Sequence, residues 1–127
     1  MDHPGNTNDF EVKTNSELAL LYNNTSVLER HHLAVTLRAL KRHEVISSLK
    51  ADQVDFINAT VGKAILATDM SSYFAFCKTL DERSFKSSPL DPLKEEDRLL
   101  AMMIIIRASD LSGQGKNQWL QISDTMI

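Results

Sequence analysis

The sequence predicts an all-α protein, and three stretches carry that reading. From Gln53 to about Met70, Val54, Ile57, Val61, Ala64, Ile65 and Thr68 recur at three- and four-residue spacing, which lines one side of a helix. Ser26 and Glu29 form an S-x-x-E capping pattern in front of a second periodic run. Leu99 to Ile106 is apolar on nearly all sides and follows an Asp91-Pro92 start signal, in which proline takes the first helical position. No strand-like alternation rivals these patterns, and no internal repeat is visible.

The elements follow in order. Asp2-His3-Pro4-Gly5 reads as a turn, and Asn6-Thr7-Asn8 favours local side-chain hydrogen bonds. Ser16 caps a short helix to Tyr22, which Asn23-Asn24-Thr25 breaks. The helix opened by Ser26 runs to about Arg42, with Leu28, His32, Val35 and Ala39 along one face. His43 to Lys50 connects it to the next helix, which Asp52 caps and which contains Gly62, at about 1 kcal/mol relative to alanine. Tyr73 to Leu80 continues as helix after Ser71-Ser72, and Asp81 to Pro92 reads as a charged surface loop.

Glu95, Glu96 and Asp97 complement the N-terminal end of the last long helix. It ends through Arg107 to Ser112, Gly113-Gln114-Gly115 turns, and Gln118 to Met126 starts one more helix. A helix apolar on all sides needs partners all round, more than this short chain offers. That is the pattern of a slice of a larger helical domain.

Composition narrows the class. With 127 residues, 43% hydrophobic and 24% charged, the chain is globular and amounts to one domain or a piece of one. A net charge of −3 with interspersed signs gives no basic footprint for nucleic acid. The single Cys77 cannot form an internal disulfide, as suits a reducing compartment. No apolar run approaches the roughly 20 residues that span a bilayer, and the polar start lacks a signal-peptide pattern, so the expected location is the cytoplasm.

Four histidines and many carboxylates raise the question of metal. His31 and His32 are adjacent, so on a helix they point about 100° apart, and neither zinc-finger nor H-E-x-x-H spacing occurs. On spacing alone, packing or hydrogen-bonding roles outweigh ligation. No glycine-rich phosphate loop or serine triad is present. Asp110 has two readings: a buried acid at a helix C-terminus in need of a cation, or, slightly favoured on spacing, an exposed and inert turn residue.

Five ordered motifs change these weights. Asp2, His3, Pro4, Gly5 and Asn8 match the end of H-D-x-D-H-P-G-x-x-N, and Asn15 to Asn23 match N-S-E-L-A-L-x-Y-N. Ser26, Val27, Leu28, Glu29, His31 and His32 match S-V-L-E-x-H-H, and Leu66 to Ser71 read L-A-T-D-M-S. Ala108 to Ser112 resemble A-D-x-S-N-P with one extra serine. In this order the motifs resemble the catalytic domain of the class I 3′,5′-cyclic nucleotide phosphodiesterases, an HD-type all-α fold, over residues 2 to 112.

The resemblance implies hydrolysis of cyclic AMP or cyclic GMP to the 5′-nucleotide, with zinc and magnesium or manganese as the paired ions. It maps Asp110 onto a metal ligand at the nucleotide site and Glu29 onto an acid that hydrogen-bonds metal-bound water. It maps His3, His32, Thr68 and Asp69 onto the lining of the same pocket. The family's H-D ligand pair, its upstream H-N-x-x-H with the general-acid histidine, and its base-reading glutamine have no counterpart here, and Gly113 replaces an asparagine. The resemblance therefore implies part of a catalytic domain, inactive and unable to hold the ions by itself. The alternative is a catalytically dead helical interaction module; a metal-dependent phosphohydrolase of another helical type is weaker, because its ligands cannot be placed.

Overall fold

The computed structural model describes residues 2–85 and 89–112 and divides the chain into two compact units, Met1–Pro89 and Leu90–Ile127. The described residues are helical and irregular, with no strand among them. In the first unit the order is α1 (Asn8–Lys13), α2 (Glu17–Leu21), α3 (Val27–Arg42), α4 (Ala51–Leu66), a 3₁₀ turn (Met70–Ser72) and α5 (Tyr73–Phe85). The second unit holds α6 (Glu95–Leu111).

Helix α1 follows directly on the polar stretch Asn6-Thr7-Asn8, where no helix is expected. The Thr7 hydroxyl accepts the Phe10 N–H at 3.2 Å, a side-chain cap on the first turn. Ser16 caps α2 as expected by accepting the Ala19 N–H at 3.1 Å. Asn23 and Asn24 then take positive φ, a region asparagine tolerates, and break the chain between α2 and α3. Ser26 does not form the expected capping box. Its backbone is left-handed (φ 43°, ψ 50°), and its hydroxyl turns away from the helix to donate to Asp69 Oδ2 at 2.7 Å.

Helix α4 begins two residues before Gln53, with Lys50 rather than Asp52 as its cap. The Lys50 N–H donates to Gln53 Oε1 at 3.1 Å, and Asp52 sits inside the first turn, where its charge suits the positive end of the helix. It stops at Leu66 rather than Met70 because the Thr68 hydroxyl donates to the Ile65 carbonyl at 2.8 Å and Asp69 caps the 3₁₀ turn. Helix α5 runs to Phe85, past the loop start expected at Asp81. Asp91 serves its own turn by accepting the Leu93 N–H at 2.9 Å, so α6 starts at Glu95 and not at Pro92.

The apolar run in α6 is only partly covered. None of Leu99–Ile106 is fully buried, and Ile105 is 64% exposed. A helix apolar on every side stays partly bare unless neighbours stand all around it. The helix runs to Leu111, within the stretch from Arg107 to Ser112 expected to end it. The turn at Gly113–Gly115 and the helix over Gln118–Met126 lie outside the described residues.

Helices α3 and α4 pack together, and Gly62 is buried where they meet, with Leu33 Cδ2 at 3.7 Å from where a Cβ would stand. That distance is ordinary contact. Gly62→Ala should therefore raise stability by about 1 kcal/mol, the helix-propensity gain, read as a higher denaturation midpoint. A lower midpoint would show that the helices cannot accept a methyl group there.

Candidate functional site

The first turns of α3 gather most of the residues singled out in the sequence. Val27 and Leu28 turn into the core, at 0% and 5% exposure, which leaves Glu29 and His32 half-buried beside them. Positions three apart on a helix are neighbours, so Glu29 and His32 share a face. Asn8, at the start of α1, fastens this turn from outside. Its Oδ1 accepts the Leu28 N–H at 2.8 Å, and its Nδ2 donates to Glu29 Oε2 at 2.9 Å.

Behind this contact lies a second carboxylate. Asn6 donates to Glu11 Oε1 at 2.8 Å, and Glu11 is buried. Hydrogen bonds from the Ser16 hydroxyl and then the Asn6 amide hold the Glu11 carboxyl below the usual range, against the opposing pull of burial.

The histidines form a cluster. The His3 and His32 rings lie 5.3 Å apart between centroids at a 37° tilt, and His31 is 6.2 Å from His32. His3 Nδ1 accepts the Gly5 N–H at 3.0 Å, which places the proton of its neutral ring on Nε2. His31 Nε2 pairs with the exposed Asp2 carboxylate at 3.0 Å. His32 Nε2 is buried with no hydrogen-bond partner among the described residues. Burial first, and then repulsion from His3 and His31, push the His32 ring below the usual histidine range, with Glu29 pulling the other way.

A folded ring that protonates less readily than the unfolded one lets the unfolded chain bind more protons as pH falls below about 6.5, so the folded state loses stability there and regains it above. His32→Gln should flatten the fall in melting temperature between about pH 7.5 and 5. An unchanged slope in that variant would assign the acid sensitivity elsewhere.

Thr68 and Asp69 sit at the end of α4. The Thr68 hydroxyl is engaged on the Ile65 carbonyl, and Asp69 is buried, holding the Ser26 hydroxyl on Oδ2 and the Ser71 N–H on Oδ1 at 2.8 Å. The side chains of the first unit thus fall into linked pairs: Asn8 with Glu29, His3 with His32, and Ser26 with Asp69. Asn8 holds Glu29 without having been singled out in the sequence beyond its place in the H-P-G-x-x-N motif, and Ser26, expected as a helix cap, holds Asp69 instead. Asp110 belongs to the second unit. It is exposed on the last turn of α6, which agrees with the exposed reading, though on a helix and not in a turn.

Among the described residues, no three His, Cys, Asp or Glu side chains gather so as to hold a metal ion. These donors do not fit a pair of divalent ions by themselves. Among the described residues, no helix is long and apolar enough to cross a membrane.

The described residues thus fasten a glutamate, a histidine pair and a buried aspartate around the start of α3. The family model for 3′5′-cyclic nucleotide phosphodiesterase matches residues 1–125, and the chain belongs to that family. It is 35% identical over 114 residues to the 3′,5′-cyclic-nucleotide phosphodiesterase regA of Dictyostelium discoideum, covering 88% of this chain and 14% of that protein. It is 36% identical over 121 residues to the human dual specificity calcium/calmodulin-dependent 3′,5′-cyclic nucleotide phosphodiesterase 1B, covering 94% and 21%. Against the human cGMP-inhibited 3′,5′-cyclic phosphodiesterase 3A it is 36% identical over 127 residues, covering 98% and 11%. The chain thus spans about a fifth or less of the length of these relatives. The phosphodiesterase domain of Salpingoeca rosetta rhodopsin phosphodiesterase superposes with a TM-score of 0.82 at 31% identity, over 87% of this chain and 35% of that one.

Proposed function

We propose that this chain supplies part of a catalytic domain that hydrolyses 3′,5′-cyclic nucleotides, cyclic AMP, cyclic GMP or both, to 5′-nucleotides. The observation that carries this reading is the family match over residues 1–125, with the motif residues Asn8, Glu29 and Asp69 brought to one helix start. By the motif each stands in, we assign Asp110 the role of a metal ligand at the nucleotide site, Glu29 that of an acid that hydrogen-bonds metal-bound water, and His3, His32, Thr68 and Asp69 that of pocket lining. Divalent ions, when bound, activate water and neutralise phosphate charge.

This chain's own part is to orient. Glu29 is held by Asn8, and the start of α3 is held by Asp69 through Ser26. The reading places the protein in the cytoplasm. The test is turnover of cyclic AMP and cyclic GMP with Mg²⁺, before and after EDTA, by the 127-residue chain and by a form extended with family sequence on both sides. Turnover is expected from the extended form alone. Robust EDTA-sensitive turnover by the short chain would overturn the incomplete-site reading, and none by either form would overturn the activity.

A further inference from the structure

We propose that Asn8 is a positioning residue that fixes the Glu29 carboxylate, holding Oε2 and leaving Oε1 as the oxygen offered to the pocket. The orientation of the Asn8 amide is dictated by the backbone. The Leu28 N–H at 2.8 Å needs an acceptor, so Oδ1 faces α3 and Nδ2 must face outward, where Glu29 Oε2 lies at 2.9 Å. One planar group therefore ties the backbone of Leu28 and the side chain of the next residue together, 20 and 21 positions along the chain.

A glutamate in a first helical turn has several rotamers open to it, and this contact selects one. Among the described residues Oε1 has no hydrogen-bond partner, so the carboxylate is anchored at one oxygen and available at the other. The residue type matters. A lysine or arginine would fix Glu29 by neutralising it, and a serine offers one short hydroxyl for two partners at different directions. A neutral amide accepts on one side and donates on the other while leaving the negative charge in place.

The importance of Glu29 to chemistry rests on the activity proposed above, but the fixation does not, and the experiment separates them. Asn8→Asp keeps an acceptor for the Leu28 N–H while removing the donor to Glu29 and setting two carboxylates together. Asn8→Asp combined with Glu29→Gln reverses the amide and the carboxylate and restores a donor–acceptor pair. In the 127-residue chain near pH 7.5, Asn8→Asp should lower the melting temperature by several degrees, and the reversed pair should recover most of that loss. Amide exchange at Leu28 should stay slow in Asn8→Asp and quicken in Asn8→Ala, which separates the cap from the carboxylate contact.

An Asn8→Asp variant that melts unchanged, or a reversed pair no better than Asn8→Asp alone, would overturn the fixation. In a turnover-competent extended form, Asn8→Asp should lower kcat about 10-fold with KM changed less than about two-fold. Coupling in stability with kcat unchanged would reduce Asn8 to a structural tie and overturn the positioning role. Absence of cyclic-nucleotide turnover from the unsubstituted extended form would fail the activity reading alone, because the melting cycle still decides whether Asn8 fixes Glu29.

Discussion

Asp69→Ala is expected to lower stability by about 2–4 kcal/mol, because it removes the acceptor of two buried hydrogen bonds at once. The carboxylate is 7% exposed and accepts from the Ser26 hydroxyl and the Ser71 N–H. The first bond crosses 43 positions of sequence and holds Ser26 in a left-handed conformation, which costs about 1 kcal/mol or more for a residue other than glycine. Without its anchor Ser26 is released to an ordinary conformation, and the angle at which α3 begins changes with it. For a chain of this size the loss corresponds to a melting temperature lower by about 10 °C.

Asp69→Asn should lose much less, since its amide oxygen can still accept the Ser71 N–H and its amide nitrogen can donate to the Ser26 oxygen. Chemical denaturation of the two variants side by side checks the prediction. Equal losses would mean that the charge, and not the pattern of hydrogen bonds, holds the α4 end to the start of α3.

That bond also shows where the sequence was readable and where it was not. Helices α3 and α4 were legible because their apolar spacing is a local property, repeated over four turns. Ser26 was misread because the S-x-x-E pattern offers a local partner, whereas its actual partner comes from the far end of α4. The same competition moved the start of α6: Asp91 and Pro92 read as a helix start, yet Asp91 satisfies Leu93, and Asp97, buried in α6, accepts the Asp91 N–H at 2.8 Å. Short helices such as α1 fall below the window in which periodicity can be counted, and only its Thr7 cap could have marked it.

The candidate site divides along the same line. Glu29, His3, His32, Thr68 and Asp69 were reachable only through ordered motifs, since no spacing rule links residue 3 to residue 32 or residue 26 to residue 69. Asn8 stands inside the H-P-G-x-x-N motif, but a side chain that bonds two consecutive residues of another helix leaves no trace in local pattern. Spacing left Asp110 open to a buried and an exposed reading, and it is exposed on the last turn of α6.

Leu28→Ala should be the other large loss, about 2–5 kcal/mol. Among the described residues the buried apolar set is small: Ala19, Val27, Leu28, Ile65 and Ala67. Leu28 is the only leucine in it, and its backbone N–H is the one that Asn8 accepts. Truncation removes apolar area from the centre of that set and leaves a cavity directly beneath the first turn of α3. Since a domain's whole stability is about 5–15 kcal/mol, one such change takes a substantial share of it.

Val27→Ala, at the one fully buried large side chain among the described residues, removes two carbons rather than three and should cost about two-thirds as much. Denaturation midpoints for the two variants test the order, and amide exchange at Leu28 tests the link to the site. In Leu28→Ala the exchange should quicken even though Asn8 is intact, because an anchor holds a helix start only while the core beneath it keeps that start in reach. If Leu28→Ala costs less than about 1 kcal/mol, the polar contacts of Asn8 and Asp69 carry the first turn of α3 without the core, and the packing account of the site fails.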